Sequence, residues 1–154
     1  MMLAKDFAEF IELLNKRGVE YMIVGGYALA FHGRPRNTGD LDIWIENSES
    51  NAIRMLEVVK DFGLASMGFT KEDFIKEGYI SQIGFPPVRI DILNSIDGVQ
   101  FREAYPNRKV INNEGIKIPY IGREEFIKNK QAAGRAQDLN DVKELQRNGR
   151  KPGR

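Results

Sequence analysis

Tyr21-Met22-Ile23-Val24-Gly25-Gly26-Tyr27-Ala28-Leu29-Ala30-Phe31-His32, followed shortly by Gly39-Asp40-Leu41-Asp42-Ile43-Trp44-Ile45, is the stretch from which the fold of this chain is read. Its first part is a short apolar run that breaks on a glycine pair and resumes with helical character from Tyr27 to His32. Strand, glycine turn, helix is an order that suits phosphate, because backbone N–H groups point outward at a helix start. Its second part, Asp40 to Ile45, is a strand with carboxylates at alternate positions. Successive strand side chains point to opposite faces, so Asp40 and Asp42 share one face while Leu41 and Ile43 enter the core. Two neighbouring carboxylates repel, and one titrates upward unless a cation lies between them. Val88-Arg89-Ile90-Asp91-Ile92-Leu93 is a second apolar strand with a single carboxylate. Three converging carboxylates would form a hard oxygen site for Mg²⁺.

Outward from this stretch, Phe7, Phe10, Ile11, Leu13 and Leu14 recur at helical spacing, and Asn15 to Gly18 stops that helix. Ser48 or Ser50 can cap a helix with an inner face of Ile53, Leu56, Val59 and Phe62. The period then changes. Tyr79 to Phe85 and Val88 to Leu93 are joined by Pro86-Pro87, and Lys109 to Ile111 and Ile116 to Ile118 flank an Asn-Asn-Glu-Gly turn suited to a hairpin. Phe126 to Ala133 and Leu139 to Leu145 close the fold as helices that separate near Gly134. The expected class is α/β in the α+β sense: a mixed, largely antiparallel sheet flanked by helices. Residues 1–147 read as a single domain without repeat or linker, and 148–154, rich in Arg, Lys, Gly and Pro, as a frayed tail.

A length of 154 residues suffices for a real core without staples. Lys and Arg total 23 against 22 for Asp and Glu, a formal charge of +1 that gives no general affinity for nucleic acid. The absence of cysteine removes disulfides, thiolate metal sites and cysteine nucleophiles, so the chemistry falls to oxygen and nitrogen groups. One histidine is too few for a zinc site or a catalytic triad. Charges interrupt the first residues too early for a signal peptide, and no apolar run approaches the roughly 20 residues of a membrane span. A cytoplasmic protein without a membrane partner is the expectation.

The glycine pair after one strand, Asp40-x-Asp42 on the next and the lone Asp91 on a later one resemble the pattern of nucleotidyltransferases similar to DNA polymerase beta, specifically their minimal bacterial members. The segment Lys128-Asn129-Lys130-Gln131-Ala132-Ala133-Gly134-Arg135-Ala136-Gln137-Asp138-Leu139-Asn140-Asp141 is similar to the Lys, Gly-Arg, Asp-Leu-x-Asp segment of the abortive-infection type toxins of that superfamily. These matches span about residues 20 to 145. At Gly26 many relatives carry serine, so backbone amides must replace the hydroxyl contact to phosphate. The resemblance implies an enzyme that moves a nucleotide from a nucleoside triphosphate, ATP among them, to an acceptor hydroxyl on tRNA, protein or a small molecule, releasing pyrophosphate. It implies two Mg²⁺ ions held by Asp40 and Asp42, with Asp91 holding the one nearer the acceptor or helping to take its proton. Gly25 and Gly26 would admit the triphosphate to the backbone, Lys130 would reach it from the far wall, and Arg36 and Thr38 are further phosphate candidates. A tRNA-directed or protein-directed role is preferred from the carboxy-terminal segment, with an antitoxin as the partner a toxin would have.

Blander readings stand beside these. A glycine pair is most often only a turn, Asp-x-Asp can be a solvated face, and Asp91 can pair with Arg89 on its own face. Lys128, Lys130 and Arg135 can be the solvated side of a helix. His32 reads as structural and Trp44 as core. The whole chain could also be an inactive nucleotide-binding or protein-interaction module. A dinucleotide-binding oxidoreductase is disfavoured because Gly25 to Ala30 lacks the Gly-x-Gly-x-x-Gly fingerprint.

Overall fold

The computed structural model describes residues 3–33 and 39–149. Helix α1 (Lys5–Arg17) ends on Gly18 in the left-handed conformation and leads into β1 (Tyr21–Val24). Helix α2 (Gly25–Phe31) starts at the glycine pair, and β2 (Asp40–Ile45) and α3 (Glu49–Asp61) follow. The short α4 (Lys71–Ile75) precedes the hairpin of β3 (Ile80–Phe85) and β4 (Val88–Leu93). After α5 (Phe101–Ala104) comes a second hairpin, β5 (Lys109–Asn113) and β6 (Ile116–Tyr120), turned by Glu114 and Gly115 at positive φ. Helices α6 (Arg123–Ala133) and α7 (Ala136–Gly149) complete the described chain, parted by Gly134 in the left-handed conformation. The sheet order is β3-β4-β2-β1-β6-β5. Three of its pairings, β1 with β2, β3 with β4 and β5 with β6, are antiparallel; β2 with β4 and β1 with β6 are parallel.

The expected elements are found, with corrections at α3, α4 and α7. On α3 the buried residues are Asn51, Ala52, Met55, Val58 and Val59, while Ile53 is 47% exposed. The helix is turned from the purely apolar reading because its most buried polar group is pinned. Asn51 Oδ1 accepts from the Glu20 backbone N–H at 2.9 Å, and its Nδ2 donates to the carbonyls of Glu20 and Glu46 at 3.1 and 2.8 Å. Ser48 caps α3, accepting from the Asn51 N–H at 3.2 Å, which settles the choice between Ser48 and Ser50. Helix α4 was not anticipated, although Thr70 and Asp73 form a capping box whose spacing is visible in the sequence. At the carboxy terminus α7 extends through Gly149, past the expected boundary at 147, and 150–154 lie outside the described residues.

Register divides the sheet into two faces. Ile23, Ile43 and Ile92 lie in one row across β1, β2 and β4, with Leu41 and Ile90 beside them, and all five are buried. The opposite face carries Asp40, Asp42 and Trp44 on β2 against Arg89, Asp91 and Leu93 on β4. Trp44 is buried edge-on against Phe101, as expected of a core residue. Helix α1 reaches β4 and β6 and packs on α3, with Phe10 edge-on to Phe62. A fully buried apolar face of this size dominates folding free energy.

Asn51→Leu keeps the side-chain volume but leaves the Glu20 N–H and two carbonyls without their partner. It should cost about 3 kcal/mol in urea unfolding, through a lower midpoint at unchanged slope. A loss under about 0.5 kcal/mol would mean that α3 is oriented by its apolar stripe alone.

Candidate functional site

Asp42 and Asp91 face each other across the parallel β2–β4 pair, and Asp40 faces Arg89 one step away. Parallel pairing in register gathers onto one patch three carboxylates that lie as much as 51 residues apart, since 91 − 40 = 51. The Arg89 guanidinium sits between them. Its Nη2 donates to Asp40 Oδ2 at 2.7 Å and to Asp91 Oδ2 at 3.0 Å, and its Nε donates to Asp91 Oδ1 at 2.9 Å. The bland reading of Asp91 as the partner of Arg89 is therefore met, but the same arginine also bridges to the Asp-x-Asp strand. That bridge was not foreseen; the signal was an arginine on the same strand face as Asp91.

Asp42 occupies the crowded position. Its carboxyl lies against the β1–α2 turn, where Gly25 has φ +67°. A Cβ at Gly25 would collide with Asp42 Oδ2 and stand 2.8 Å from its Cγ. The glycine is required first to admit the carboxylate, a role distinct from the phosphate approach expected of it. Burial, then the charges of Asp91 and Asp40, push the Asp42 carboxyl up to about 7 against the pull of Arg89, and Asp42 shares a hydrogen bond with Asp91. This is the upward titration that adjacent carboxylates impose on one another. Gly26 follows within α2, partly exposed at the turn.

A cleft of about 290 Å³ opens beside Asp42 and Gly25, walled on its far side by Asn129, Lys130, Arg135 and Asp138 from the α6–α7 hairpin. Lys130 thus faces the carboxylate side while Lys128, two residues earlier, is exposed. The solvated-face reading holds for Lys128 and fails for Lys130. The Lys130 ammonium is buried between Asp138 Oδ1 at 3.3 Å and Asp141 Oδ2 at 3.2 Å. Arg135 caps this cluster, its Nε donating to Asp138 Oδ2 at 2.7 Å, and that bond is the main reason the Asp138 carboxyl titrates low. Lys130 consequently pins α6 to α7 whatever else it does. Asp138 and Asp141 stood in the quoted motif without a role, and their role here is to hold that lysine. Arg36 and Thr38 lie outside the described residues. His32 Nε2 lies 2.7 Å from the Ile121 carbonyl, and burial lowers its pKa; it ties the end of α2 to the chain after β6, as a structural residue would. A wider hollow of about 660 Å³, lined by Arg108, Lys109, Arg123 and Glu125, shares no residue with the aspartate patch.

The donor set fits a hard divalent cation, with carboxylate oxygens on adjacent strands and one of them made basic by its neighbours. Among the described residues, however, no three acidic or histidine side chains already surround one point. Asp40 and Asp91 are turned to Arg89 instead.

The raised Asp42 pKa has a signed consequence for stability. The folded state binds this proton more tightly than the unfolded state, with its ordinary value of 3.8, so ionisation destabilises the fold. The penalty is absent below about pH 4, grows as pH rises to about 7 and is complete above that. Asp42→Asn should thus stabilise the metal-free protein by on the order of 2 kcal/mol at pH 8 and by nearly nothing at pH 4, measured by thermal melts in chelator. A variant less stable than the parent at pH 8 would refute the crowding.

The sequence model of the family described as "Nucleotidyl transferase of unknown function (DUF2204)" matches residues 3–152. No curated protein matches the chain. Among solved structures, the antibiotic-resistance factor ANT(2'')-Ia has a TM-score of 0.60 at 14% identity, covering 93% of this chain and 82% of its own. An antigenic nucleotidyltransferase-like protein from Paracoccidioides brasiliensis has a TM-score of 0.59 at 16% identity, covering 93% and 77%. The lincosamide antibiotic adenylyltransferase LnuA, solved with lincomycin bound, has a TM-score of 0.54 at 18% identity, covering 94% and 97%. At such identities these three share the fold with this chain.

Proposed function

Since the chain belongs to the nucleotidyl transferase family DUF2204, we propose that it transfers a nucleotide from a nucleoside triphosphate to an acceptor hydroxyl, using Mg²⁺ held by Asp40, Asp42 and Asp91. The observation that carries this reading is the in-register meeting of Asp42 and Asp91 beside Asp40, at the mouth of a cleft walled by Lys130. Bound Mg²⁺ would supply charge neutralisation at the attacking and leaving oxygens of the alpha-phosphate. Asp40 and Asp42 would hold that charge in place, and Asp91 would accept the acceptor's proton or orient its hydroxyl. Gly25 gives its space to the Asp42 carboxyl, Gly26 leaves the triphosphate room to approach the backbone, and Lys130 offers a point charge from the opposite wall. Cleft and carboxylates together orient the acceptor oxygen for in-line attack, the phosphorus–oxygen bond to pyrophosphate breaking as the new one forms.

The acceptor is the open choice. The toxin-like segment Lys128 to Asp141 favours tRNA or protein, with an antitoxin as partner. LnuA, by its description an antibiotic adenylyltransferase, adds small-molecule hydroxyls. A second reading, a nucleotide-binding module without turnover, draws on one observation: Arg89 already engages two of the three carboxylates.

Alpha-labelled ATP, CTP, GTP and UTP with Mg²⁺, offered in turn with tRNA, cell protein and hydroxylated antibiotics, test both readings. Pyrophosphate release with label on one acceptor pool is expected, and asparagine at Asp40, Asp42 or Asp91 should lower it by about a thousandfold or more. Tight nucleotide binding without pyrophosphate from any pool would establish the module instead.

Lys130→Ala should depress kcat strongly while Lys128→Ala is nearly silent. Because the lysine also answers Asp138 and Asp141, its loss should cost on the order of 3 kcal/mol, so the kinetics belong at a temperature where both variants are folded. Equal, small effects on kcat would confine Lys130 to holding the two helices together.

A further inference from the structure

Arg89 is the feature of the site that transfer chemistry does not itself require. The side chain is planar and forked, and it spends three hydrogen bonds on the two carboxylates at the ends of the patch. A carboxylate oxygen in a charge-assisted bond to a guanidinium has less charge to offer a second cation, and an arginine does not release its proton. Divalent Mg²⁺ demands ligands at about 2.0–2.1 Å in near-octahedral array, closer and more regular than the grip of an arginine. Both cations cannot take Asp40 Oδ2 and the Asp91 oxygens in their present arrangement.

We propose that Arg89 is a built-in competitor for the metal site: it holds Asp40 and Asp91 together as an internal cation, and a divalent ion enters only as the guanidinium lets go of at least one of them. The inference rests on Asp40, Asp42 and Asp91 being the metal ligands. Two further observations locate the release. Arg89 stands on the β3–β4 hairpin and its side chain is 28% exposed, so it has solvent to swing into. Across the hairpin its register partner is Gly84, with φ +82°, where a Cβ would meet the Val88 carbonyl oxygen at 2.6 Å. The residue beside Arg89 on the edge strand is therefore confined to glycine and carries no side chain to pack against the guanidinium. Arg89 makes no hydrogen bond to Asp42, so the exchange of cations takes place at Asp91 and Asp40. The consequence is a threshold: metal affinity is set by the strength of the arginine's hold as much as by the carboxylates.

Calorimetric titration of Mn²⁺ into the full chain and into Arg89→Gln and Arg89→Lys tests this. Arg89→Gln should bind Mn²⁺ more tightly than the parent by on the order of tenfold. Arg89→Lys, which keeps the charge but loses the two-armed grip, should also bind more tightly than the parent. Affinities in both variants equal to or weaker than the parent's would overturn the proposal, and a lysine variant that matches the parent would reduce it to bulk charge and refute the grip. Should neither parent nor variants take up Mn²⁺, the metal-ligand assignment itself fails, an outcome separate from the one in which all bind alike. A measurement on the parent avoids any folding defect of the variants. Saturating Mg²⁺ should shift the Arg89 Nε–H resonance in ¹⁵N spectra and speed its exchange with water several-fold, while a resonance unmoved by Mg²⁺ that shifts Asp42 would show that the arginine stays in place.

Discussion

Like charge held at close quarters is the constraint around which this structure is built. Asp42 is buried against the β1–α2 turn with Asp91 beside it and Asp40 on its own strand, and no rearrangement within β2 can separate them, because the parallel register with β4 sets their spacing. Such an arrangement persists only if the rest of the fold over-determines it and if a cation answers it. The isoleucine rows on the opposite face over-determine it. Among the described residues, Arg89 is a cation that answers Asp40 and Asp91.

From that constraint the placement of the other elements follows. Gly25 lacks a side chain because the Asp42 carboxyl fills the space, and the turn it makes starts α2 at the edge of the cleft. The α6–α7 hairpin supplies the facing wall, and its own buried ion cluster of Lys130 with Asp138 and Asp141 keeps that wall stiff. That wall balances its own charges, two cations against two carboxylates, while the opposite wall carries the crowded aspartates.

Much of this was legible in the sequence, and for identifiable reasons. Strands β1 and β2 were read to their final residues because short apolar runs with period-two carboxylates and glycine boundaries have few alternatives. Alternation alone placed Asp40 and Asp42 on one face. What the sequence could not show was set by tertiary contact. The rotation of α3 depends on an asparagine amide meeting three backbone groups, one pair of them on a residue 31 positions away. Arg89 was visible beside Asp91, but its bond to Asp40 depends on strand order, which no local pattern encodes. Lys130 was singled out by family resemblance as a phosphate group. Its commitment to Asp138 and Asp141 required the helical hairpin to close.

Following the Asp42 side-chain carboxyl carbon through a pH titration by ¹³C NMR, with and without Mg²⁺, shows whether the three crowded carboxylates form a cation site. A midpoint near 7 is expected in chelator, with a fall toward the ordinary carboxylate range once Mg²⁺ is added. A midpoint already in the ordinary range, or one near 7 that Mg²⁺ leaves unchanged, would contradict it.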